Sequence, residues 1–228
     1  MARFYRGTIN YISEAGGEFG REYFSVSVER DGTRTLRCVC EMDNVALVRD
    51  VTYTVDANFL PIDCYVRVSN DHKFVGSGWF RFTDTGVDGE VETVAEGRVT
   101  QHLPTPGRAR LFGTHPICID IWKCAHVQAA RPGEVQLLDN CVNSSSVPNG
   151  ASGPLLARKS YDMVYQGREQ VTVKSGTFDC QYFHWRTGTG RTLQLYTATA
   201  DYLPVKTVVP EGKRYYELVE FEELNRAV

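Results

Sequence analysis

The sequence predicts a mainly β fold, in which a duplicated antiparallel meander forms two facing curved sheets, as a sandwich or an open barrel, with one central helix. Two observations lead to this prediction. Apolar and polar residues alternate with a period of two in many short segments, which is typical of half-buried strands. A segment of the first half also reappears in modified form in the second half, which indicates a duplication.

The alternating segments of the first half follow one another at short intervals. They comprise residues 23–28, 35–40, 51–55, 60–68, 73–82 and 89–99. Between them lie turn sequences such as Asp31-Gly32 and Ala57-Asn58, which favour tight hairpins. Connections this short join antiparallel strands, because a parallel crossover needs about a dozen residues or more. The first half is therefore predicted to be an antiparallel meander.

The C-terminal third repeats this pattern and contains the duplicated segment. Its predicted strands are residues 170–173, 177–185, 192–198, 203–209 and 214–221. Residues 196–205 read YTATADYLPV and residues 53–62 read YTVDANFLPI, so the two segments align without a gap. Turn chemistry alone makes many hairpins alike, but it does not require the shared tyrosine, leucine and proline. We therefore favour a true repeat.

The segment between the two repeats, residues 104–154, has a different pattern. Thr114 and Pro116 are typical of a helix start, as the N-cap and a first-turn residue, and Pro132-Gly133 ends the run that follows. We therefore expect a helix over residues 117–130. The first five of these residues also alternate, so a short strand is the alternative there.

Size and charge limit the possible classes of protein. The chain of 228 residues is expected to form a single domain, 1–228, in which repeats of about 1–103 and 155–228 flank the central segment. Its net charge of −3, without a basic block, argues against a nucleic-acid partner. No stretch approaches the roughly 18–20 apolar residues of a membrane span, and the first residues do not resemble a secretory leader. We expect a cytoplasmic protein with no membrane partner.

The sequence gives no indication of a cofactor or a metal. It contains no phosphate-binding loop, no dinucleotide fingerprint and no H-E-x-x-H pair, so we expect no cofactor. The seven cysteines are irregularly spaced, which favours free buried thiols. The residues His115, Cys118, Cys124 and His126 have the ligand types of a zinc site, but their spacing is not that of a common finger. We therefore expect no metal.

The predicted central helix carries the candidates for catalysis. On a helix, His115, Asp120, Lys123 and His126 fall within an arc of roughly 140°. If this polar side faces a cavity between the sheets, His115 can act as general acid or base. Asp120 would then orient the imidazole, and Lys123 would stabilise charge. The alternative is a helix whose polar side faces water.

Aromatic residues and one further histidine are candidates for ligand binding. They are Tyr53, Tyr196, Trp79, Trp122, Trp185 and His184. Tyr53 and Tyr196 occupy equivalent positions of the repeat, so they are expected to form a pseudo-symmetric pair. Aromatic residues on strands are nevertheless more often part of a core than of a binding site.

Together these residues favour a cofactor-independent enzyme that binds a small hydrophobic or aromatic metabolite in a β-sheet cavity. Its expected chemistry is acid–base catalysis of the isomerase, hydratase or lyase type. The alternative is a non-catalytic carrier or sensor of a lipophilic small molecule. A third hypothesis is an interaction module, with a homodimer formed through exposed edge strands.

The C-terminal third also resembles a known family. Residues 171–180 read VTVKSGTFDC and are similar to the G-T-F hairpin of a bacterial domain-of-unknown-function family, and Leu203-Pro204-Val205 resembles its L-P-V strand. The resemblance covers about residues 160–222. It implies a curved antiparallel sheet similar to the lipoprotein-carrier barrels. Members of the family are often secreted or lipid-anchored and mostly have no assigned activity, so the resemblance implies a fold and not a reaction.

Overall fold

The computed structural model describes residues 3–144, 154–187 and 190–225. Within these residues the chain forms fifteen β-strands, one short α-helix and three short 3-10 helices. The strands of the first half are β1 (Arg3–Ser13), β2 (Glu18–Val28), β3 (Arg34–Met42), β4 (Leu47–Val55), β5 (Pro61–Asn70), β6 (Lys73–Phe82), β7 (Gly86–Thr93) and β8 (Gly97–Pro104). The remaining strands are β9 (Leu111–Gly113), β10 (Val135–Asn143), β11 (Ala157–Val173), β12 (Gly176–Arg186), β13 (Thr192–Ala198), β14 (Leu203–Val209) and β15 (Arg214–Asn225).

All fifteen strands belong to one curved open sheet, and the predicted mainly β fold is confirmed. The sheet runs from β8 back through β7 to β1, then continues with β15 and runs down through β14 to β9. Neighbouring strands are antiparallel except β9 and β10, which are parallel. The two predicted halves are therefore joined edge to edge. Their junction is the pairing of β1 with β15, from Arg3 opposite Asn225 to Ser13 opposite Arg214.

Contacts between distant strands give the sheet its open-barrel form. The backbone N–H of Leu156, just before β11, donates to Gln101 Oε1 in the edge strand β8 at 2.9 Å. Arg158 in β11 donates to the carbonyl oxygen of Pro104 at the end of β8. The β8 edge of the sheet therefore contacts the C-terminal half of the chain.

The predicted strands 73–82, 192–198 and 203–209 coincide with β6, β13 and β14. The single strand predicted over residues 89–99 is wrong, because a turn separates β7 from β8. In that turn the N–H of Glu96 donates to Thr93 Oγ1 at 2.9 Å. Gly97 follows with a φ of 70°, a left-handed conformation that glycine adopts without a steric penalty.

The two copies of the repeat form equivalent turns that contact each other. Phe59 and Tyr202 occupy the same repeat position, and both have left-handed backbones, with φ values of 62° and 54°. The N–H of Phe59 donates to Asp56 O at 3.0 Å, and that of Tyr202 to Thr199 O at 3.4 Å. The two rings meet edge to face, with centroids 5.3 Å apart. The duplication thus produces a local pseudo-symmetric contact.

The expected pair of Tyr53 and Tyr196 does not form. A β-bulge interrupts the β4–β5 pairing after Thr54, but the equivalent bulge of β13–β14 comes after Tyr196, one residue earlier in the repeat. A one-residue shift moves a side chain to the opposite face of a sheet. Tyr53 is accordingly buried on the inner face, whereas Tyr196 is half-buried on the outer face.

Residues 105–134 cross the inner face of the sheet, and we call them the cover segment. They include β9, the helix α1 (Ile117–Asp120) and a 3-10 helix (Ile121–His126). The buried apolar residues of the cover segment are Ala109, Leu111, Phe112, Cys118, Ile119, Ile121, Trp122, Cys124 and Val127. None of the helices of the described chain is long and apolar enough to cross a membrane.

The helix predicted over residues 117–130 is shorter than expected. Pro116, not Thr114, occupies the N-cap position, and no side chain of the segment itself caps the helix. Instead, the Glu22 carboxylate from β2 accepts hydrogen bonds from the N–H groups of Ile117 at 2.6 Å and Cys118 at 2.9 Å. Carboxylates stabilise helix N-termini by such bonds. A contact from the sheet therefore takes the place of the local cap.

Candidate functional site

Aromatic rings form the contact between the inner face and the cover segment. The ring of Phe112 in β9 lies 4.9 Å from Phe80, 5.1 Å from Phe82 and 6.4 Å from Tyr53, centroid to centroid. The ring of Trp122 lies 5.7 Å from that of Tyr53. Edge-to-face and tilted rings at these distances attract each other beyond the burial of their area. The site is therefore an apolar contact surface between a sheet and a covering segment.

A small cavity of about 10 Å³ remains between the two surfaces. That volume suffices for roughly one water molecule. Its lining residues are Tyr53, Phe59, Leu111, Phe112, Ile119, Asp120, Trp122, Lys123 and His126. Three of them are titratable side chains of the cover segment in an otherwise apolar environment.

Asp120 and Lys123 form an ion pair at this cavity. Lys123 Nζ donates to Asp120 Oδ1, and the Lys123 side chain is only 2% exposed. The ammonium group also lies over two aromatic rings, 3.7 Å from the centroid of Trp185 and 4.7 Å from that of Tyr161. Burial raises the pKa of the Asp120 carboxyl, and the nearby Lys123 ammonium opposes this shift. The polar side of the helix therefore faces the interior and not water.

The three predicted catalytic residues are only partly brought together. Asp120 and Lys123 are in contact, but the cavity lining does not include His115. His115 lies in the turn before α1, half-buried, with a φ of 86°. His126 lines the cavity in its place. Burial lowers the pKa of His126, against a hydrogen bond with the Phe59 backbone that raises it.

The six predicted ligand-binding residues divide between the two faces of the sheet. Tyr53 and Trp122 line the cavity, and Trp185 contacts Lys123 on the inner side. Trp79 is 44% exposed on the outer face, where the Arg81 guanidinium lies 4.8 Å from its ring centroid.

Tyr196 and His184 lie together, but also on the outer face. Both contact Tyr182, whose ring is stacked on Tyr196 with a centroid distance of 4.5 Å. The Tyr182 hydroxyl is 2.6 Å from His184 Nε2. Burial and the nearby Arg186 charge lower the pKa of His184. These two residues therefore form a separate outer cluster and do not contribute to the cavity.

Sequence reasoning missed a second polar group under the cover segment, centred on Glu22. The Glu22 side chain is fully buried and accepts a hydrogen bond from the Tyr11 hydroxyl in addition to those from α1. Burial raises the pKa of its carboxyl. The alternation of β2 was the available signal, because it places residue 22 on the same face as Phe24 and Val26.

Two thiols lie beside this carboxylate, and a third lies next to its partner Tyr11. Cys38 and Cys40 are both buried on the inner face, as their alternation in the sequence predicts. The ligand atoms of Glu22, Cys38 and Cys118 all lie within 4.8 Å of one another. The Tyr11 hydroxyl lies 3.2 Å from Cys40 Sγ and connects this thiol to Glu22. Burial raises the pKa of the Cys38 thiol.

Comparison with known proteins concerns only the fold. No family model matches the chain, and no curated protein matches it. A solved structure of a β-barrel-like protein from Brucella abortus, of the domain of unknown function DUF1849, is similar to it. The TM-score is 0.54 at 14% sequence identity, and the similarity covers 98% of each chain.

Two further solved structures are more distant. A protein with a YmcC-like fold from Bacteroides fragilis has a TM-score of 0.31 at 11% identity, covering 96% of this chain and 95% of its own. A DUF1329 family protein from Desulfovibrio piger has a TM-score of 0.25 at 12% identity, and the similarity covers 98% of this chain and 84% of the Desulfovibrio chain. The similarity to the Brucella abortus protein shows that the chain has a β-barrel-like fold found in a bacterial domain of unknown function, as the sequence resemblance implies.

Proposed function

We propose that the chain is a non-catalytic binding protein that holds a lipophilic small molecule between the inner face of its sheet and the cover segment. The observation that carries this proposal is the construction of the cover segment. Residues 105–134 contain three strand residues, one four-residue α-helix and one 3-10 helix. Long connections with so little regular structure are uncommon in compact domains and usually serve as lids or binding loops.

The surface beneath the cover segment suits an apolar ligand. Tyr53 and Phe80 of the sheet are buried, and the ring of Phe112 in the cover segment packs against both. A ligand that takes the place of part of the cover segment would bury the same apolar area, at roughly 25 cal/mol per Å². The pre-existing cavity of about 10 Å³ is too small for such a molecule, so binding requires the cover segment to move.

Polar contacts at the rim of the cover segment suit a movable attachment. Arg108 donates to the carbonyl oxygen of Pro61 from Nη2 at 2.8 Å and to Asp56 Oδ2 from Nη1 at 3.0 Å. The Arg108 and Asp56 side chains are about a quarter exposed, so water can replace these bonds when the segment moves. They hold the closed form without contributing to the apolar surface.

An acid–base enzyme of the isomerase, hydratase or lyase type is the second candidate. The observation in its favour is that Asp120, Lys123 and His126 line one cavity. The ion pair of Asp120 and Lys123 weighs against it, because each charge is already compensated by the other. In the binding proposal Asp120 and Lys123 stabilise the closed form of the cover segment, and they need not contact a substrate.

The proposal is tested by the equilibrium binding of the apolar fluorescent dye N-phenylnaphthylamine. The variant Arg108→Ala removes a rim contact, and we expect it to favour the open form by about 1–2 kcal/mol. Because only the open form binds, its apparent affinity for the dye should rise about fivefold to thirtyfold. The control is Arg81→Ala, which removes an arginine from the outer face.

An enhanced affinity in Arg108→Ala, with wild-type affinity in Arg81→Ala, would support binding under the cover segment. Absence of dye binding to the wild-type chain, or weaker binding by Arg108→Ala, would contradict it. Both variants are compared at a temperature where their near-UV circular dichroism spectra show native tertiary structure. Partial unfolding therefore does not account for the expected result.

A further inference from the structure

We propose that Glu22, Cys38 and Cys118 form a buried zinc site that joins the sheet to the cover segment. The inference stands independently of the proposed function. The three donors come from β2, β3 and α1, and the fold brings their ligand atoms within 4.8 Å of one another. Two thiolates and one carboxylate are donors that zinc accepts in proteins.

The complete burial of Glu22 beside two thiols supports a bound cation. Its side chain has no exposed surface, and among the ion pairs of residues 3–144, 154–187 and 190–225 none includes it. Buried carboxylates are ordinarily paired with a cation or bound to a metal, because an isolated charge is costly to bury. A divalent ion at the two thiols would supply that positive charge.

The hydrogen bonds of Glu22 are compatible with this role. The N–H groups of Ile117 and Cys118 and the hydroxyl of Tyr11 all donate to its carboxylate oxygens. Carboxylates that bind metals are commonly oriented by such outer hydrogen bonds. These donors hold the carboxylate beside both thiols, and Cys40 supplies a further buried thiol next to Tyr11.

Binding requires a change of protonation but no oxidation. Each thiol forms a Zn–S bond as its S–H proton leaves to solvent, so one zinc ion displaces two protons from Cys38 and Cys118. A thiol that binds zinc is deprotonated even where burial alone would keep it neutral. No oxidant or reductant takes part in this step.

The test uses the full chain loaded with Zn²⁺ or Co²⁺ alone, after removal of metals with a chelator. We expect one zinc per wild-type chain by native mass spectrometry, and a sulfur-to-cobalt charge-transfer absorption band with Co²⁺. Cys38→Ser and Cys118→Ser should each lose at least tenfold in zinc affinity and about half of the cobalt band. The matched control is Cys124→Ser, a buried cysteine of the same cover segment that lies outside the cluster and should bind as wild type.

Wild-type protein alone also decides the question, whatever the stability of the variants. A chain that binds neither ion at micromolar concentration, or one in which mass spectrometry finds a Cys38–Cys118 disulfide, overturns the proposal. So does zinc binding that Cys124→Ser weakens as strongly as Cys118→Ser. The variant Glu22→Gln tests the carboxylate ligand separately from the two thiolates. It should reduce zinc affinity while leaving the cobalt–sulfur band at its full intensity.

Discussion

The residues beneath the cover segment combine apolar burial with a few compensated charges. Lys123 is enclosed by the Asp120 carboxylate and by the rings of Tyr161 and Trp185. A buried ion pair contributes little net stability, because the loss of hydration offsets the attraction, but breaking it leaves one charge without compensation. If the pair has a structural role, removing one partner should therefore destabilise the fold much more than removing both.

The variant Lys123→Met is expected to lower the free energy of unfolding by about 3–5 kcal/mol. The reason is that the buried Asp120 carboxylate loses its cation. The double variant Lys123→Met/Asp120→Leu should regain most of this loss, and urea titration with both variants measures it. Equal destabilisation by the single and double variants would show that the pair is not the cause.

Asp201 joins both repeats to the cover segment. Its buried carboxylate accepts from Arg34 Nε at 2.9 Å and from Arg3 Nη2 at 2.6 Å, and its carbonyl oxygen accepts from Trp122 Nε1 at 3.2 Å. The Arg34 guanidinium also lies 4.2 Å from the centroid of Phe59. One residue of the second repeat thus binds two arginines of the first repeat and Trp122 of the cover segment.

Asp201→Ala is expected to cost about 3 kcal/mol in unfolding free energy, because it leaves the buried Arg34 without its carboxylate. Asn58 occupies the equivalent position in the first repeat and is exposed, so Asn58→Ala is the matched control and should have little effect. Thermal unfolding of both variants provides the comparison. A similar loss in the two variants would contradict the role given to Asp201.

At the scale of the elements, the cover segment depends on the sheet for its short helix. Glu22 caps α1 from outside the segment, and this contact joins residues nearly a hundred positions apart. His126 ends the 3-10 helix against the Phe59 turn. The stability of the cover segment is therefore coupled to the ionisation of the groups buried between it and the sheet.

His126 gives this coupling a pH dependence. Burial lowers its pKa in the folded chain below the ordinary value of 6.5, so the unfolded chain binds the proton more readily. The stability that depends on a neutral His126 is fully present above about pH 6.5. It is lost as the pH falls toward the lowered pKa of His126 in the folded chain. Urea midpoints should decrease over this range, and less so in His126→Gln. The pKa of His184 is also lowered, so its titration adds to the same pH dependence. The difference between wild type and His126→Gln therefore measures the part that is due to His126.

An unchanged pH dependence in His126→Gln would show that the imidazole is not held neutral by burial. The nearby charges of Arg110 and Asp56 act on His126 in opposite directions, so neither determines the expected sign.

Much of the element structure was predictable, because most hairpins depend on neighbouring residues alone. Strands such as β6 and β14 follow from alternation and a local turn. The strand β1 has the same length as β2, but it pairs with β15 at the far end of the chain, and no local turn indicates that partner. The length of the central helix was overestimated because its N-terminus also depends on a distant residue, Glu22 of β2, that no local signal indicates.

The site was predictable only where spacing on one element sufficed. Asp120 and Lys123, three residues apart, do form the expected contact. Tyr196 was assigned to the wrong face because a bulge position cannot be read from alternation. Glu22 was missed because a single acidic residue in a strand gives no sign of which partners the fold brings to it.

At the scale of the whole molecule, one continuous sheet replaces two separate ones. The β1–β15 pairing extends over all eleven residues of β1, with one register shift between Thr8 and Ile9, so the halves share a long ladder of paired residues. Asp201 adds a buried ionic contact between them. We therefore expect the halves to unfold together, as one cooperative domain.

Single-tryptophan variants test this cooperativity. Trp79 reports on the first half and Trp185 on the second, after the other two tryptophans are replaced by phenylalanine. Their urea midpoints should coincide within error when measured by fluorescence. Two separated transitions would instead indicate two independent units.

The central claim is that a ligand replaces part of the cover segment on the inner face, and hydrogen exchange tests it most directly. In the closed form the Phe112 N–H donates to the Tyr53 hydroxyl at 3.3 Å, and the N–H groups of α1 donate to Glu22. In the metal-free protein with N-phenylnaphthylamine at saturation, we expect faster exchange throughout residues 109–127 and unchanged protection in β4, β5 and β6. Cover-segment amides that exchange at the same rate or more slowly at saturation would contradict the account.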